Sequence, residues 1–147
     1  MNQSLLYHAF GIRKGYDYVR TDYGEGCIRF VLAVRPELLV CPRCHSAWVS
    51  RKGRRMRELQ TGPIGLKRVW LVTEVPQCKC LKCGQSFEVS PPFAPAYVWY
   101  THQLQAFVED LWGMMTVTDL AVVTGLGWDT VKNIIKAWLE KGYGPPG

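Results

Sequence analysis

The pattern of apolar and polar positions divides the chain into a first part with strand periodicity and a last part with helix periodicity. Before residue 90, apolar residues alternate with polar ones or form short β-branched and aromatic blocks. After residue 96 they recur three and four positions apart. The proline-rich stretch between the two parts cannot be a helix interior. We therefore predict an α+β protein with a β-rich domain over 1–90, a Pro-rich linker over 91–96, an all-α domain over 97–142 and a flexible tail over 143–147.

The first part predicts a small sheet preceded by one short helix. The segment 66–77 is apolar on both faces, which is typical of a central strand. In 27–34 the apolar residues fall on alternate positions, which predicts one buried face. In order, the predicted elements are a helix over 3–10 and strands over 16–21, 27–34, 47–50, 66–77 and 86–89.

A run of basic residues separates the predicted strands 47–50 and 66–77. It comprises Arg51, Lys52, Arg54, Arg55 and Arg57, with a glycine inside it and a Gly-Pro turn signal after it at 62–65. We interpret the run as the tip of a hairpin that contacts phosphates, which would position a nucleic acid without reading its sequence. The alternative is a solvated turn whose charge serves solubility.

The last part predicts three helices. The first has apolar residues at Leu104, Val108 and Leu111, with Thr101 as its N-cap. Thr116 and Asp119 form a capping-box pattern that begins a short helix over 117–124. A tight turn over 125–127 leads into a second helix over 128–141, and this succession is the layout of a helix-turn-helix.

The final helix has a polar side that suits a DNA groove. Its apolar residues Val131, Ile134 and Ile135 would face the preceding helix. The residues left for DNA contact are Trp128, Asp129, Thr130, Lys132, Asn133 and Lys136. The alternative is an ordinary helical hairpin with a solvated face. Asp129 either reads a cytosine or stabilises the start of its own helix.

The charge distribution favours an anionic partner. The chain has a formal net charge of +6. Ten of its eighteen Lys and Arg residues, but only two of its twelve Asp and Glu residues, lie between Cys41 and Cys83.

Since no apolar run reaches the about 18 residues of a membrane span, and the N-terminus lacks a signal-peptide pattern, we expect a cytoplasmic protein without a membrane partner.

Two Cys-x-x-Cys units predict a metal site. Cys41 and Cys44 form the first, and Cys80 and Cys83 form the second. Such pairs, a few tens of residues apart, fit a tetrahedral four-cysteine zinc site, while buried or disulfide-bonded cysteines are the alternative. Cys78 competes with Cys80 as a ligand, and the two-residue spacer favours Cys80.

The two units also differ in the residue that follows them. Gly84 can adopt a positive φ after the second unit, but His45 stands at that place in the first, so we expect a less regular first turn.

Four cysteine ligands would leave no open zinc position for a water molecule, and no Ser/His/Asp grouping is present in the sequence. We therefore expect no enzymatic activity from this chain.

With these motifs in hand, the sequence resembles the N-terminal part of ISL-three type insertion-sequence transposases. The resemblance runs through Cys41-Pro42-x-Cys44, Arg51-Lys52-Gly53, Arg57-Glu58-Leu59, Cys80-x-x-Cys83-Gly84-x-x-Phe87-Glu88 and Leu126-Gly127-Trp128-Asp129-Thr130-Val131-Lys132-Asn133-Ile134. It implies a zinc-binding and helix-turn-helix region that recognises the double-stranded ends of the mobile element. In that family a separate RNase H-like domain cuts the DNA, so this chain is expected to bind DNA and not to cut it.

Two other readings share these motifs. The chain could be a stand-alone DNA-binding regulator or transposition inhibitor, or the zinc ribbon could be a protein-interaction or dimerisation module. Because transposase ends are usually brought together by a dimer, a homodimer is also a candidate assembly.

Overall fold

The computed structural model of the chain describes residues 3–142, so the predicted tail over 143–147 lies outside the described residues. The order of elements confirms the α+β class. The helices are α1 (Gln3–Phe10), α2 (His102–Leu111), α3 (Val117–Thr124) and α4 (Trp128–Glu140), and the strands are β1 (Tyr16–Gly24), β2 (Cys27–Val34), β3 (Val49–Ile64), β4 (Lys67–Cys80) and β5 (Ser86–Glu88).

The strands form one sheet around β4. β3 pairs antiparallel with one edge of β4, and β2 and then β5 pair with the other edge, while β1 pairs with the outer edge of β2. The β2–β4 pair is parallel and the others are antiparallel. The central position predicted for the strand over 66–77 is therefore confirmed.

One face of the sheet, the core face, carries the hydrophobic core. Strand alternation places the apolar residues of β2 on this face together with Leu59, Val69 and Leu71. The helix α1 covers them with Leu6 and Phe10, and the proline-rich segment contributes buried residues. The members of this core are Leu6, Phe10, Ile12, Tyr16, Ile28, Phe30, Leu32, Val34, Leu59, Val69, Leu71 and Phe93.

The opposite face of the sheet, the open face, carries a shallow groove, and at its other end Gln60 and Arg68 contact the end of α3 at Thr124 and Gly125. The side chains on it include Arg20 and Asp22 from β1, Arg29 and Val31 from β2, Arg51, Arg54, Met56 and Glu58 from β3, and Trp70, Val72 and Glu74 from β4. Arg20 pairs with Asp22 and Arg29 with Glu58. The groove has a volume of about 850 Å³. The sheet therefore buries one face and leaves much of the other open, which is common where antiparallel pairing dominates.

The predicted hairpin tip over the basic run is wrong. β3 is continuous from Val49 to Ile64, and the hairpin turns at Gly65 and Leu66, at the end of the predicted turn over 62–65. Gly53 does not end the strand because a β-bulge between Arg51 and Gly53 accommodates one extra residue. The basic run thus pairs with β4 along its length instead of projecting from the protein.

The helical unit, α2 to α4, has its own core. It comprises Leu104, Val108, Leu120, Leu126, Val131, Ile134 and Ile135. Thr101 and Thr116 cap α2 and α3 as predicted, with their hydroxyl oxygens accepting from the N–H groups of Leu104 and Asp119. Gly125 ends α3 at φ +75°, a left-handed conformation that glycine adopts without strain.

Candidate metal centre and nucleic-acid interface

The two Cys-x-x-Cys units fold into matching turns at the end of the β3–β4 hairpin remote from its own turn. In the first, the N–H of His45 donates to the carbonyl of Cys41 at 2.9 Å, and in the second, Gly84 donates to Cys80 at 2.9 Å. Both His45 and Gly84 have positive φ, +60° and +79°. The expectation of a less regular first turn is therefore wrong, because His45 adopts the left-handed conformation that glycine adopts in the second turn.

The four cysteines converge on one point. The sulfur atoms of Cys41, Cys44, Cys80 and Cys83 all lie within 4.8 Å of one another. The Sγ–Sγ distance is 3.6 Å for Cys41–Cys83 and 3.5 Å for Cys44–Cys80. A tetrahedron with metal–sulfur bonds of about 2.3 Å has edges of about 3.8 Å, so these residues fit a four-thiolate zinc ion.

The turns also supply donors to the sulfur atoms. The backbone N–H groups of Cys83 and Lys82 lower the pKa of the Cys80 thiol to about 6. Those of Cys44 and Arg43 lower the pKa of Cys41. The N–H of Ser46 lowers the pKa of the Cys44 thiol in the same way. Burial and the neighbouring thiols have a larger opposite effect, so the pKa of Cys44 is raised to about 11. A dication at the centre would favour the thiolate form of all four.

The other two cysteines lie outside this cluster. Cys78 is buried two residues before Cys80 on β4, opposite Arg51 on β3. Cys27 lies on β2, where its sulfur accepts a hydrogen bond from Arg29 Nη1 at 3.5 Å. The ligand set that the geometry brings together is thus the one favoured by the spacing, with Cys80 in place of Cys78.

The metal end of the hairpin, residues 41–48 and 78–84, is basic and exposes one large aromatic ring. Arg43, Lys79 and Lys82 are exposed beside the turns. These two segments contain no Asp or Glu. Trp48 is 64% exposed and its carbonyl accepts from the N–H of Leu81. The cations offset the charge of a four-thiolate zinc ion, which is formally −2.

The structure divides the basic run between the two faces of the sheet. Arg51 and Arg54 lie on the open face, and Lys52, in the bulge, lines the same groove. Arg55 and Arg57 point to the opposite side, where Arg55 forms an ion pair with Glu88 and Arg57 donates to the carbonyl of Val98. The five predicted contact residues therefore do not form one surface.

Glu74 is the residue of this region that sequence reasoning missed. It is 8% exposed, and its carboxylate accepts from Arg51 at 2.7 Å and from Arg54 at 3.1 Å. The single Glu74 carboxylate thus holds two guanidinium groups at the groove. Together Glu74, Arg51 and Arg54 keep a net positive charge. A lone acid inside the apolar strand over 66–77 was the available signal.

The polar side of α4 is exposed as predicted. Asp129, Lys132, Asn133 and Lys136 are exposed and Thr130 is partly exposed, while Val131, Ile134 and Ile135 are buried. Lys132 Nζ lies 5.3 Å from the centre of the half-exposed Trp128 ring, within range of a cation–π interaction. The N-cap residue of α4, Gly127, offers no capping side chain. The carboxylate of Asp129 lies in the first turn of the helix, where a negative charge stabilises the helix dipole.

Residues 37–83 match the family model of the zinc-finger of transposase IS204/IS1001/IS1096/IS1165. The match includes both Cys-x-x-Cys units and the basic run but less than half of the chain, and α2 to α4 lie outside it. The matched family segment is a zinc finger and not a catalytic domain. No curated protein and no solved structure matches the chain. Together the cysteine geometry and the family match confirm the predicted zinc cofactor.

None of the helices within 3–142 combines the length and the apolar character that crossing a membrane requires.

Proposed function

We propose that this chain is the zinc-dependent DNA-binding region of an insertion-sequence transposase and that it recognises the ends of the mobile element. The observation that carries the proposal is the complete four-cysteine cluster within a segment similar to a transposase zinc finger. The basic open face beside the cluster supports DNA as the partner. DNA cleavage would belong to a separate catalytic domain.

The two parts of the chain would divide the work of binding. The positive charge lies on the hairpin, whereas residues 97–142 carry five acids against three lysines. Attraction to phosphates would therefore come from the open face, through Arg51, Lys52 and Arg54, and from the exposed cations of the metal end. Phosphate contacts of this kind set affinity and orientation but not sequence preference.

Sequence would be read by α3 and α4 as a helix-turn-helix. The short α3, the left-handed Gly125 and the buried Leu126 set α4 against α3 with its polar side outward. Asn133 is the residue best suited to read a base, because its amide can pair with both hydrogen-bonding atoms of an adenine edge. Lys132 and Lys136 would contact guanine or phosphate.

DNA binding is tested first with a random-sequence duplex at a series of salt concentrations. We expect the logarithm of the affinity to fall linearly with the logarithm of the salt concentration, with a slope of about −0.9 for each phosphate neutralised. An absence of binding even at low salt would overturn the proposal.

Sequence reading is tested by selecting binding sites from a random duplex library. Asn133→Ala should relax the preference at one base position by on the order of 1–3 kcal/mol and leave binding to random DNA unchanged. Glu140→Ala, at the far end of α4, serves as the control. A wild-type chain that selects no sequence would contradict the role of α4.

A second candidate function rests on the exposed apolar residues at the metal end. Trp48 and Leu81 are 64% and 46% exposed and lie side by side through their backbone hydrogen bond. Such a pair suits a protein partner, as in an interaction or dimerisation module. A zinc-loaded chain that ignores DNA, but loses self-association in Trp48→Ala, would favour this function.

A further inference from the structure

We propose that the turn of the β3–β4 hairpin, residues 64–67, is a second DNA-contacting element, which enters the minor groove beside the major groove that α4 occupies. The side chain of Leu66 would insert at one base step, and Lys67 would contact a phosphate at the edge of the groove. This inference rests on the proposed DNA-binding function. It adds a minor-groove contact, which neither the open face nor α4 provides.

The hairpin turn exposes a leucine that folding does not require. Ile64 pairs with Lys67, so the loop between the strands has two residues, Gly65 and Leu66. Gly65 has a φ of +62°, as a two-residue hairpin loop with glycine in first place demands. The second place commonly holds a polar residue, whereas Leu66 is 84% exposed here. Neither the turn nor the core therefore accounts for its apolar side chain.

The hairpin turn lies next to the residues that lead into α4. Arg68, two residues after Leu66, packs so closely against Gly125 that a side chain at Gly125 would overlap its guanidinium. Gly125 ends α3 and stands three positions before Trp128, the first residue of α4. Arg68, Gly127 and Trp128 are all exposed. One exposed surface therefore runs from the hairpin turn, across Arg68, to the start of α4.

The joint between the hairpin and the helical unit is a buried polar network. The side-chain amide of Gln60 donates to the carbonyl of Thr124, the last residue of α3. The hydroxyl of Thr101 donates to that of Thr61, which in turn donates to Gln103. Gln60, Thr61, Thr101 and Thr124 are all at least 97% buried. Moving the hairpin turn relative to α4 would break several of these bonds together, so its position is set before DNA binds.

The separation of the two elements is of the order of the distance between neighbouring grooves. Adjacent major and minor grooves are half of a 34–36 Å helical turn apart, or about 17 Å. The three residues from Gly125 to Trp128 span at most about 10 Å. The two residues from Leu66 to Arg68 span about 7 Å. With the start of α4 in the major groove, the hairpin turn would therefore lie across one DNA strand, at the minor groove.

The minor groove suits the shape and chemistry of the hairpin turn. At about 6 Å wide, it is too narrow for a helix but admits the side chains of a tight loop. Proteins that bind there combine Lys and Arg with apolar side chains, including leucine, which wedge between base pairs and kink the duplex. Leu66 followed by Lys67 and Arg68 has this composition.

The charges around the hairpin turn also favour a phosphate contact. Lys67 and Arg68 are exposed. The β1–β2 turn lies alongside, because Cys27 pairs with Arg68 and the N–H of Arg68 donates to the carbonyl of Gly26. That neighbouring turn contributes one unpaired acid, Glu25, so the two cations outnumber it. Removal of Glu25 should consequently strengthen DNA binding.

The wedge is tested with the zinc-loaded full chain and a duplex selected by it. A fluorescent base analogue whose emission rises on unstacking is placed at successive positions beside the α4 contact. We expect increased emission at one step and hydroxyl-radical protection of the minor groove there. Leu66→Ala should lose both signals and weaken binding by about tenfold or more, since a buried apolar contact is lost. Met114→Ala, which removes another exposed apolar side chain between α2 and α3, should retain them.

The phosphate contact is tested on random-sequence DNA, where no selected duplex is needed. Lys67→Ala should reduce the magnitude of the salt slope by about 0.9, the value for one phosphate contact. Lys14→Ala, which removes an exposed lysine between α1 and β1, is the charge-matched control and should leave the slope unchanged. Glu25→Ala should raise the affinity. Equal slopes for Lys67→Ala and the wild-type chain would contradict the contact.

The outcomes separate the minor-groove contact from the proposed function. A wild-type complex without unstacking at any step and without minor-groove protection would overturn the role of the hairpin turn while DNA binding stands. The same conclusion follows if Leu66→Ala keeps its zinc and binds the selected duplex as tightly as the wild-type chain. If Leu66→Ala does not fold, the wild-type signals still decide. An absence of binding to any duplex at low salt would overturn the proposed function and this contact with it.

Discussion

The β3–β4 hairpin and the helical unit differ in where their structure and charge come from. The hairpin joins residues distant in sequence, carries eight of the eighteen Lys and Arg residues but only two acids, and ends in the zinc cluster. The helical unit is built from local signals, has its own apolar core and carries a net negative charge over 97–142. Attraction to DNA and discrimination among DNA sequences would therefore lie in separate parts of the chain, which mutations can separate.

The largest expected effect is the loss of zinc from the hairpin. Cys80→Ser removes a ligand, and structural zinc contributes on the order of 10 kcal/mol in small zinc modules. We expect no bound zinc and faster amide hydrogen exchange over 41–52 and 78–86, with α2 to α4 still protected. The measurement is zinc content together with hydrogen exchange.

Cys78→Ser is the matched control for the zinc experiment, because Cys78 is buried on the same strand but lies outside the cluster. It should retain one zinc per chain. Zinc loss in Cys78→Ser, or retention in Cys80→Ser, would contradict the ligand assignment.

The second effect concerns the open face. Lys52→Ala/Arg54→Ala removes two exposed cations, while Arg51 still pairs with Glu74. Affinity for every duplex should fall about equally, and the salt slope should decrease in magnitude by about 1.8, or about 0.9 per phosphate contact. Fluorescence anisotropy at several salt concentrations measures both quantities.

A charge-matched control is Arg35→Ala/Arg55→Ala. These arginines form ion pairs with Asp17 and Glu88, and neither lines the groove of the open face. If this variant reduced the salt slope as much as Lys52→Ala/Arg54→Ala, net charge rather than the open face would explain binding.

The third effect tests the joint between the two regions. Thr101→Val removes the cap of α2 and the buried hydroxyl bond to Thr61, so we expect a loss of about 2 kcal/mol in the free energy of unfolding. Thr116→Val removes only the exposed cap of α3 and should cost about 1 kcal/mol. Urea unfolding of both variants compares them, and equal losses would argue against the buried network.

The smallest effect compares the two cysteine turns. His45 has φ +60°, a conformation that costs a non-glycine residue about 1 kcal/mol, so His45→Gly should stabilise the zinc-bound chain by up to about that amount. Gly84→Ala, at the matching place in the second turn, should destabilise it by a similar amount. Thermal unfolding of the zinc-loaded variants measures both, and changes of the same sign would refute the equivalence of the two turns.

The helices were predictable because their signals are local. Thr101, Thr116 and Gly125 define ends that each depend on a few neighbouring residues. The cysteine cluster was also predictable, since the two-residue spacer fixes each turn. The same two-residue spacer favoured Cys80 over Cys78 as a ligand, and the folded geometry brings Cys80 into the cluster.

The course of β3 was not predictable in the same way. Gly53 and the arginines around it are typical of a turn, but pairing with β4 and a single bulge keep the strand continuous. The division of Arg51 and Arg54 from Arg55 and Arg57 follows from that pairing. Glu74 acquires its arginine partners only because β3 lies beside β4, so the lone acid in an apolar strand could mark Glu74 as unusual without identifying those partners.

The position of the zinc cluster also bears on how the long hairpin finds its correct alignment. A slip of β3 against β4 by two residues would keep every side chain on its own face, so the apolar pattern alone discriminates weakly against it. That slip would move the two cysteine turns about 7 Å relative to each other, at about 3.3 Å per residue. Four sulfur atoms within 4.8 Å of one another could not survive such a displacement. Metal binding would thus stabilise the native register of β3 against β4 over the registers shifted by two residues.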